Sequence, residues 1–137
     1  MPHTIRQVEY FHTMVADRPG EALAFLKGLA DLGINLLGFT AIPAGPVHTR
    51  LTIFPDDPGR LKAQSHWSGF SLEGPHEAFL VQGEDIPGAL VGIHQRLTDQ
   101  RISVVLATGV SAGEGRFGYL IHVHPDDQDR AVAALKT

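Results

Sequence analysis

The sequence predicts an α+β chain built from two tandem copies of one βαββαβ unit, each an antiparallel sheet with its helices on one face. Three observations lead there. The segment Asp17-Arg18-Pro19-Gly20 returns 68 residues later as Asp85-Ile86-Pro87-Gly88. Apolar residues follow each copy of that segment at helical spacing. Beyond each such helix, two stretches alternate apolar and polar residues around a turn rich in Gly or Pro. A repeat of this kind decides the fold, because each copy must be read as the same supersecondary unit.

The same offset carries Phe25 onto Ile93, Leu29 onto Leu97 and Ile34-Asn35 onto Ile102-Ser103. Pro55-Asp56-Asp57 returns as Pro125-Asp126-Asp127 at an offset of 70, so the second copy holds two extra residues. The Gly-rich stretch Ser111-Ala112-Gly113-Glu114-Gly115 is the expected place for them, in a hairpin loop.

Each copy opens with an apolar strand, at residues 8–15 and again at 78–82. D-x-P-G follows, with Pro expected at the opening of a helix, where its missing N–H costs nothing. Ala22, Phe25, Leu26 and Leu29 line one face of the first helix, and Leu90, Ile93 and Leu97 line its counterpart. Gly33 suits a left-handed helix stop, while Gln100-Arg101 stands at that point in the second copy. Strands are expected at 35–42 and 48–54 around Pro43-Ala44-Gly45-Pro46, and at 103–110 and 116–124. Leu51 and Ile53, like Tyr119, Ile121 and Val123, alternate so as to face a core. Pro-Asp-Asp then starts a second helix in each copy, with an Asp available as N-cap.

A last strand near residues 70–72 is expected to close the first copy. The second copy stops at Leu135-Lys136-Thr137 and lacks its own last strand, which leaves an unpaired edge. The order β-α-β-β-α-β is the ferredoxin-like plan. Its two units are expected at residues 1–74 and 75–137, side by side, sharing a sheet or completing it in a dimer. The link Glu73-Gly74-Pro75-His76 is too short for free-swinging modules, and Trp67 and Phe70 are expected to pack their junction.

Composition narrows the function. Net charge is −4 and no run of Lys or Arg occurs, so the footprint of a nucleic-acid binder is missing. With no cysteine there are no disulfides, thiolate metal sites or Cys nucleophile. No apolar run approaches the roughly 20 residues of a membrane span. The opening MPHTIRQVEYF has neither an export nor a transit signature, so no membrane association and a cytoplasmic location are expected.

The two motifs are specific enough to suggest a family. Ala16-Asp17-Arg18-Pro19-Gly20-Glu21-Ala22-Leu23 resembles the D-x-P-G-x-L helix entry of the ACT domain, a regulatory module of amino-acid metabolism. Asp85-Ile86-Pro87-Gly88-Ala89-Leu90 is similar to it equally, and Gly33-Ile34-Asn35 resembles the family's G-I-N entry to the second strand. Gln100-Arg101-Ile102-Ser103 departs from that second motif, losing Gly and Asn. The resemblance spans roughly residues 7–135 and is to small stand-alone tandem ACT proteins. It implies a non-catalytic regulator that binds an amino acid at an interface between domains. The ligand-binding positions it implies are Asp17, Arg18, Pro19, Gly20 and Asn35, with Asp85, Ile86, Pro87, Gly88 and Ser103 in the second copy. A homodimer and a partner enzyme of amino-acid metabolism are implied as well. Chemistry is compatible: unpaired N–H groups at a helix start suit a carboxylate, and Asp17 suits an ammonium. The competing role for each Asp is a helix N-cap.

Other signals have plainer readings. Gly113-Glu114-Gly115-Arg116-Phe117-Gly118 fits G-x-G-x-x-G, yet it joins two strands instead of opening a helix, which favours a hairpin turn over a dinucleotide. His122 and His124, two apart on a strand, are the best metal candidates among eight His, against a solvated or interface role. No nucleophile elbow is present, and no cofactor or catalytic residue is expected. The alternatives to an amino-acid sensor are a ligand-free interaction module with an open sheet edge, and an enzyme or metal handler on the same scaffold.

Overall fold

The computed structural model describes residues 3–64 and 70–136; Trp67 lies outside them. Among these residues there are six strands and four α-helices. Their order is β1 (His3–Ala16), α1 (Glu21–Asp31), β2 (Leu36–Pro43), β3 (His48–Pro55), α2 (Pro58–Ala63), β4 (Glu73–Glu84), α3 (Val91–Asp99), β5 (Val104–Gly113), β6 (Arg116–Val123) and α4 (Gln128–Leu135). The chain divides into two compact units, one of Glu9–His76 and one of Met1–Val8 with Glu77–Thr137. Strands β1 and β4 therefore each run on from one unit into the other.

In the 9–76 unit β3 lies between β2 and β1, antiparallel to both, with Ile53 opposite Phe11 and Phe39. Phe11 and Val15 of β1 and Leu51 and Ile53 of β3 alternate onto one face, where Phe25 and Leu29 of α1 and Leu61 of α2 cover them. The segment 70–72 expected to close this copy is not a strand. Phe70 and Leu72 instead pack on the core, with Phe70 edge-on to Phe25 at 4.9 Å between ring centroids. Extended structure begins at Glu73, in the residues expected to be only a link.

The second unit repeats this plan. β6 lies between β4 and β5, with Ile121 opposite Phe79 and Ala107. Phe79, Val81, Tyr119, Ile121 and Val123 meet Ile93 and Leu97 of α3 and Ala131 and Leu135 of α4. Residues 3–8 of β1 complete it: Ile5 packs on this core, and Gln128 Nε2 donates to Gln7 Oε1 at 2.9 Å. No strand follows α4 among the described residues, so β1 does the work of a last strand beside β4.

The two extra residues are not in the hairpin. Strand pairing keeps one offset throughout, Pro43 opposite Thr49 matching Ser111 opposite Phe117 and Leu36 opposite Pro55 matching Val104 opposite Val123. They enter after β6, where a 3-10 turn, Pro125–Asp127, precedes α4. Pro55 and Pro125 thus look alike in sequence but are not equivalent, since Pro55 is still in a strand.

Both first helices end in the same way. Gly33 N–H reaches Ala30 O at 2.9 Å and Ile34 N–H reaches Leu29 O at 3.0 Å; Arg101 and Ile102 repeat this with Thr98 and Leu97, both at 2.9 Å. These are paired Schellman closures, with φ 73° at Gly33 and 57° at Arg101. An arginine from the second helix then caps the cap: Arg60 Nε donates to Leu32 O at 3.2 Å, and Arg130 Nη1 to Gln100 O at 2.7 Å. Asp57 holds the start of α2, its Oδ1 accepting from Arg60 N at 3.1 Å, while Asp127 instead pairs with Arg130 at 2.7 Å.

Left-handed backbone costs a residue with a Cβ about 1 kcal/mol relative to glycine. Arg101→Gly is therefore expected to raise the thermal midpoint by a few degrees, and Gly33→Ala to lower it, both read by calorimetry.

Candidate ligand-binding site

D-x-P-G turns out to be a turn before a helix. In Arg18-Pro19-Gly20-Glu21, Glu21 N–H bonds Arg18 O at 3.3 Å and Gly20 has φ 92°; in Ile86-Pro87-Gly88-Ala89, Ala89 N–H bonds Ile86 O at 3.1 Å and Gly88 has φ 77°. This is type II turn chemistry: Pro presets the first central residue, and Gly supplies the positive φ of the second. Both Pro residues thus lie outside the helices they were expected to open. The N-cap of α1 is Gly20 and that of α3 is Leu90, each without a side-chain cap bond. Asp17 and Asp85 do not cap these helices. Their backbone N–H groups are tied to the hairpin tips, Asp17 to Val47 O at 2.9 Å and Asp85 to Gly115 O at 2.8 Å.

All eight residues of the two D-x-P-G motifs are exposed, and Arg18 pairs with Glu21 at 3.2 Å. Asn35 and Ser103 are exposed too, and Asn35 O accepts from Asp56 N at 2.9 Å. Within a unit the two motifs do not meet. They flank the first helix, and α1 with eleven residues and α3 with nine separate them by about 14–16 Å at 1.5 Å per residue.

Ser103 opens instead on an exposed depression of about 530 Å³ in the second unit. Leu97, Ile102 and Val104 supply its apolar lining, and His94, Thr98, Arg101 and Ser103 its polar one. His94 Nε2 is hydrogen-bonded to the Tyr119 hydroxyl at 2.6 Å, and burial pushes that phenol up from its ordinary value. Gly109 lies under the Tyr119 ring so closely that a Cβ would sit 2.9 Å from it.

A second polar cluster, absent from the sequence-based site, lies on the helix-free face of the 9–76 unit. There Tyr10, His12 and His76 approach one another with ring centroids 5.1–5.3 Å apart, and Tyr10 also meets Phe54. His12 Nδ1 lies 2.8 Å from Thr52 Oγ1. Arg50 Nε and His76 Nε2 are enclosed with no hydrogen-bond partner among the described residues. Burial, then the Arg50 guanidinium and then His76, push the His12 imidazole below its ordinary 6.5, against an opposing pull from Glu73. The signal was in the alternation of β1: Phe11 and Val15 point to the core, so Tyr10 and His12 occupy the other face.

The remaining candidates resolve simply. Glu114 and Gly115, with φ 55° and 72°, form the two-residue hairpin between β5 and β6, which accounts for G-x-G-x-x-G. His122 is buried in β6, whereas His124 is exposed beyond the end of that strand. Among the described residues no group of three His, Asp or Glu is placed to hold a metal ion. None of their helices is long and apolar enough to cross a membrane.

Two ferredoxin-like units, each with a D-x-P-G turn before its first helix and the second completed by residues 3–8 of β1, give the chain an ACT-type fold. Solved structures bear this out at the level of fold. The chain is similar to a protein of Bacteroides thetaiotaomicron designated BT0572, with 14% identity, TM-score 0.80, and coverage of 96% of this chain and 88% of that one. It is similar to the ligand-free regulatory subunit of aspartate kinase from Thermus thermophilus, with 13% identity, TM-score 0.60 and coverage of 99% and 95%. The corresponding subunit from Thermus flavus gives 14% identity, TM-score 0.54 and coverage of 99% and 95%. No family model and no curated protein sequence matches the chain.

A histidine with a lowered folded pKa takes up its proton less readily folded than unfolded. Its contribution is complete above pH 6.5 and is lost as pH falls through the lower folded value. The urea midpoint is thus expected to fall between pH 7 and the acid side of that window. His12→Leu, which installs the residue found at the equivalent Leu80, should flatten the fall.

Proposed function

We propose that this chain is a non-catalytic, cytoplasmic regulator that binds an amino acid between ACT-type units and acts on a partner enzyme of amino-acid metabolism. The observation that carries this reading is the paired, exposed D-x-P-G turn leading into a helix with no side-chain cap, once in each unit. Such a start offers N–H groups and partial positive charge to a carboxylate. Asp17 and Asp85, not engaged as caps, are left to meet an ammonium. The similar regulatory subunits of aspartate kinase support a regulatory role.

The helix separating the motifs supports a site shared between units. Asp17-Arg18-Pro19-Gly20 and Asn35 cannot share one ligand within a unit, nor can Asp85-Ile86-Pro87-Gly88 and Ser103. A complete site needs the turn of one unit facing the second-strand entry of another, as in a homodimer. Strand β5 is suited to such pairing, with Val105, Leu106 and Val110 exposed at 53%, 49% and 67%. That same strand favours the second reading, a ligand-free interaction module.

Thermal unfolding against the twenty amino acids decides between them. A ligand at 100 times its dissociation constant stabilises the folded state by about 2.7 kcal/mol, a shift of several degrees for a chain of this size. The shift is expected with one chemical group of amino acids, lost in Asp17→Ala and Asn35→Ala, and accompanied by a dimer in sedimentation. A cooperative melt indifferent to all twenty, with an unchanged dimer, points to the interaction module.

A further inference from the structure

The two copies serve as each other's control, and they differ most in one place. Against the depression in the second unit, the equivalent positions of the 9–76 unit are Leu26 for His94, Ala30 for Thr98, Gly33 for Arg101 and Leu51 for Tyr119. At four positions that are apolar or side-chain-free in the 9–76 unit, the second unit carries a polar side chain. They are contiguous: His94 is tied to Tyr119 at 2.6 Å, and His94, Thr98 and Arg101 line one depression with Ser103. Arg101 keeps the left-handed φ of 57° that glycine holds without strain in the other copy. A strained backbone carrying a charged side chain beside a cavity is the kind of feature retained for a ligand.

From this the geometry points to a carboxylate site in the second unit: Arg101 with the Ser103 and Thr98 hydroxyls holds the carboxylate, His94 borders it under the hold of Tyr119, and Leu97, Ile102 and Val104 take a short aliphatic tail. This deepens the proposed function and rests on its ligand-binding reading. The lining holds one guanidinium and no carboxylate, so it matches an anion. It offers an ammonium no charged partner. The site therefore takes the carboxylate end of an apolar amino acid and its deaminated analogue alike, unlike the Asp-bearing turns.

The test is an amide ¹H–¹⁵N titration of the whole chain with L-leucine and, separately, with isovalerate, each to about 20 mM. Saturable shifts are expected at Ile102, Ser103 and Val104 with both ligands. Arg101→Gly restores the residue of the other copy and relieves the backbone, so loss of fold does not explain its effect. It should weaken both ligands about tenfold or more, as expected on losing a hydrogen bond to a charged group. His94→Leu should weaken them as well. Shifts confined to residues 17–21, 35 and 85–88 overturn this site and leave the proposed function standing. Binding of leucine without isovalerate shows that the ammonium is required and also overturns it. Affinity unchanged in Arg101→Gly does the same. Silence everywhere, with no amino acid shifting the thermal midpoint, defeats both readings.

Discussion

A single left-handed residue at the end of the first helix organises each unit. At Gly33 and Arg101 the chain must leave a helix, satisfy its last carbonyls and re-enter a strand within a few residues. The closure does all three. Two N–H groups turn back to the helix, and Ile34 or Ile102 is driven into the core beside Leu29 or Leu97. The next residue, Asn35 or Ser103, is left exposed at the strand entry. Arg60 and Arg130 reach across from the second helix to the carbonyl just before the left-handed residue, so both helices of a unit depend on that one bend.

The same bend sets the limits on function. A helix that starts at a D-x-P-G turn and ends at the left-handed residue keeps its two exposed motifs a helix length apart. Whatever binds at the turn sees the helix start, the acidic Asp17 or Asp85 and a backbone anchored to the hairpin tip. Whatever binds at the strand entry sees the helix end, and in the second unit an arginine.

Most of the fold was legible because turn chemistry is local. D-x-P-G encodes its own geometry through Pro and Gly, and the alternation at Leu51/Ile53 and Tyr119/Ile121/Val123 is that of the observed cores. What was illegible depended on long-range partners. Residues 3–8 are mostly polar, and only Ile5 hints that the core of the second unit claims them. Glu73-Gly74-Pro75-His76 reads as a linker by composition, yet β4 begins there. The two extra residues were misplaced because Pro-Asp-Asp occurs twice, although only the second of its acidic residues, Asp57 and Asp127, is equivalent as a helix start. The D-x-P-G residues were readable singly, as a turn. The His94–Tyr119 bond and the Tyr10–His12–His76 cluster arise from strand register, which no one segment specifies.

The division of β1 between two units has a consequence for synthesis. Residues 9–76 hold everything their core requires in one continuous stretch, so that unit can close as soon as it clears the ribosome. Residues 3–8 pack with Gln128 and the core that includes Leu135, partners translated more than a hundred residues later. Its backbone neighbour β4 is made earlier, but until then the core on which Ile5 packs is incomplete. Completion of the second unit thus waits on contacts of high sequence separation, which slow folding.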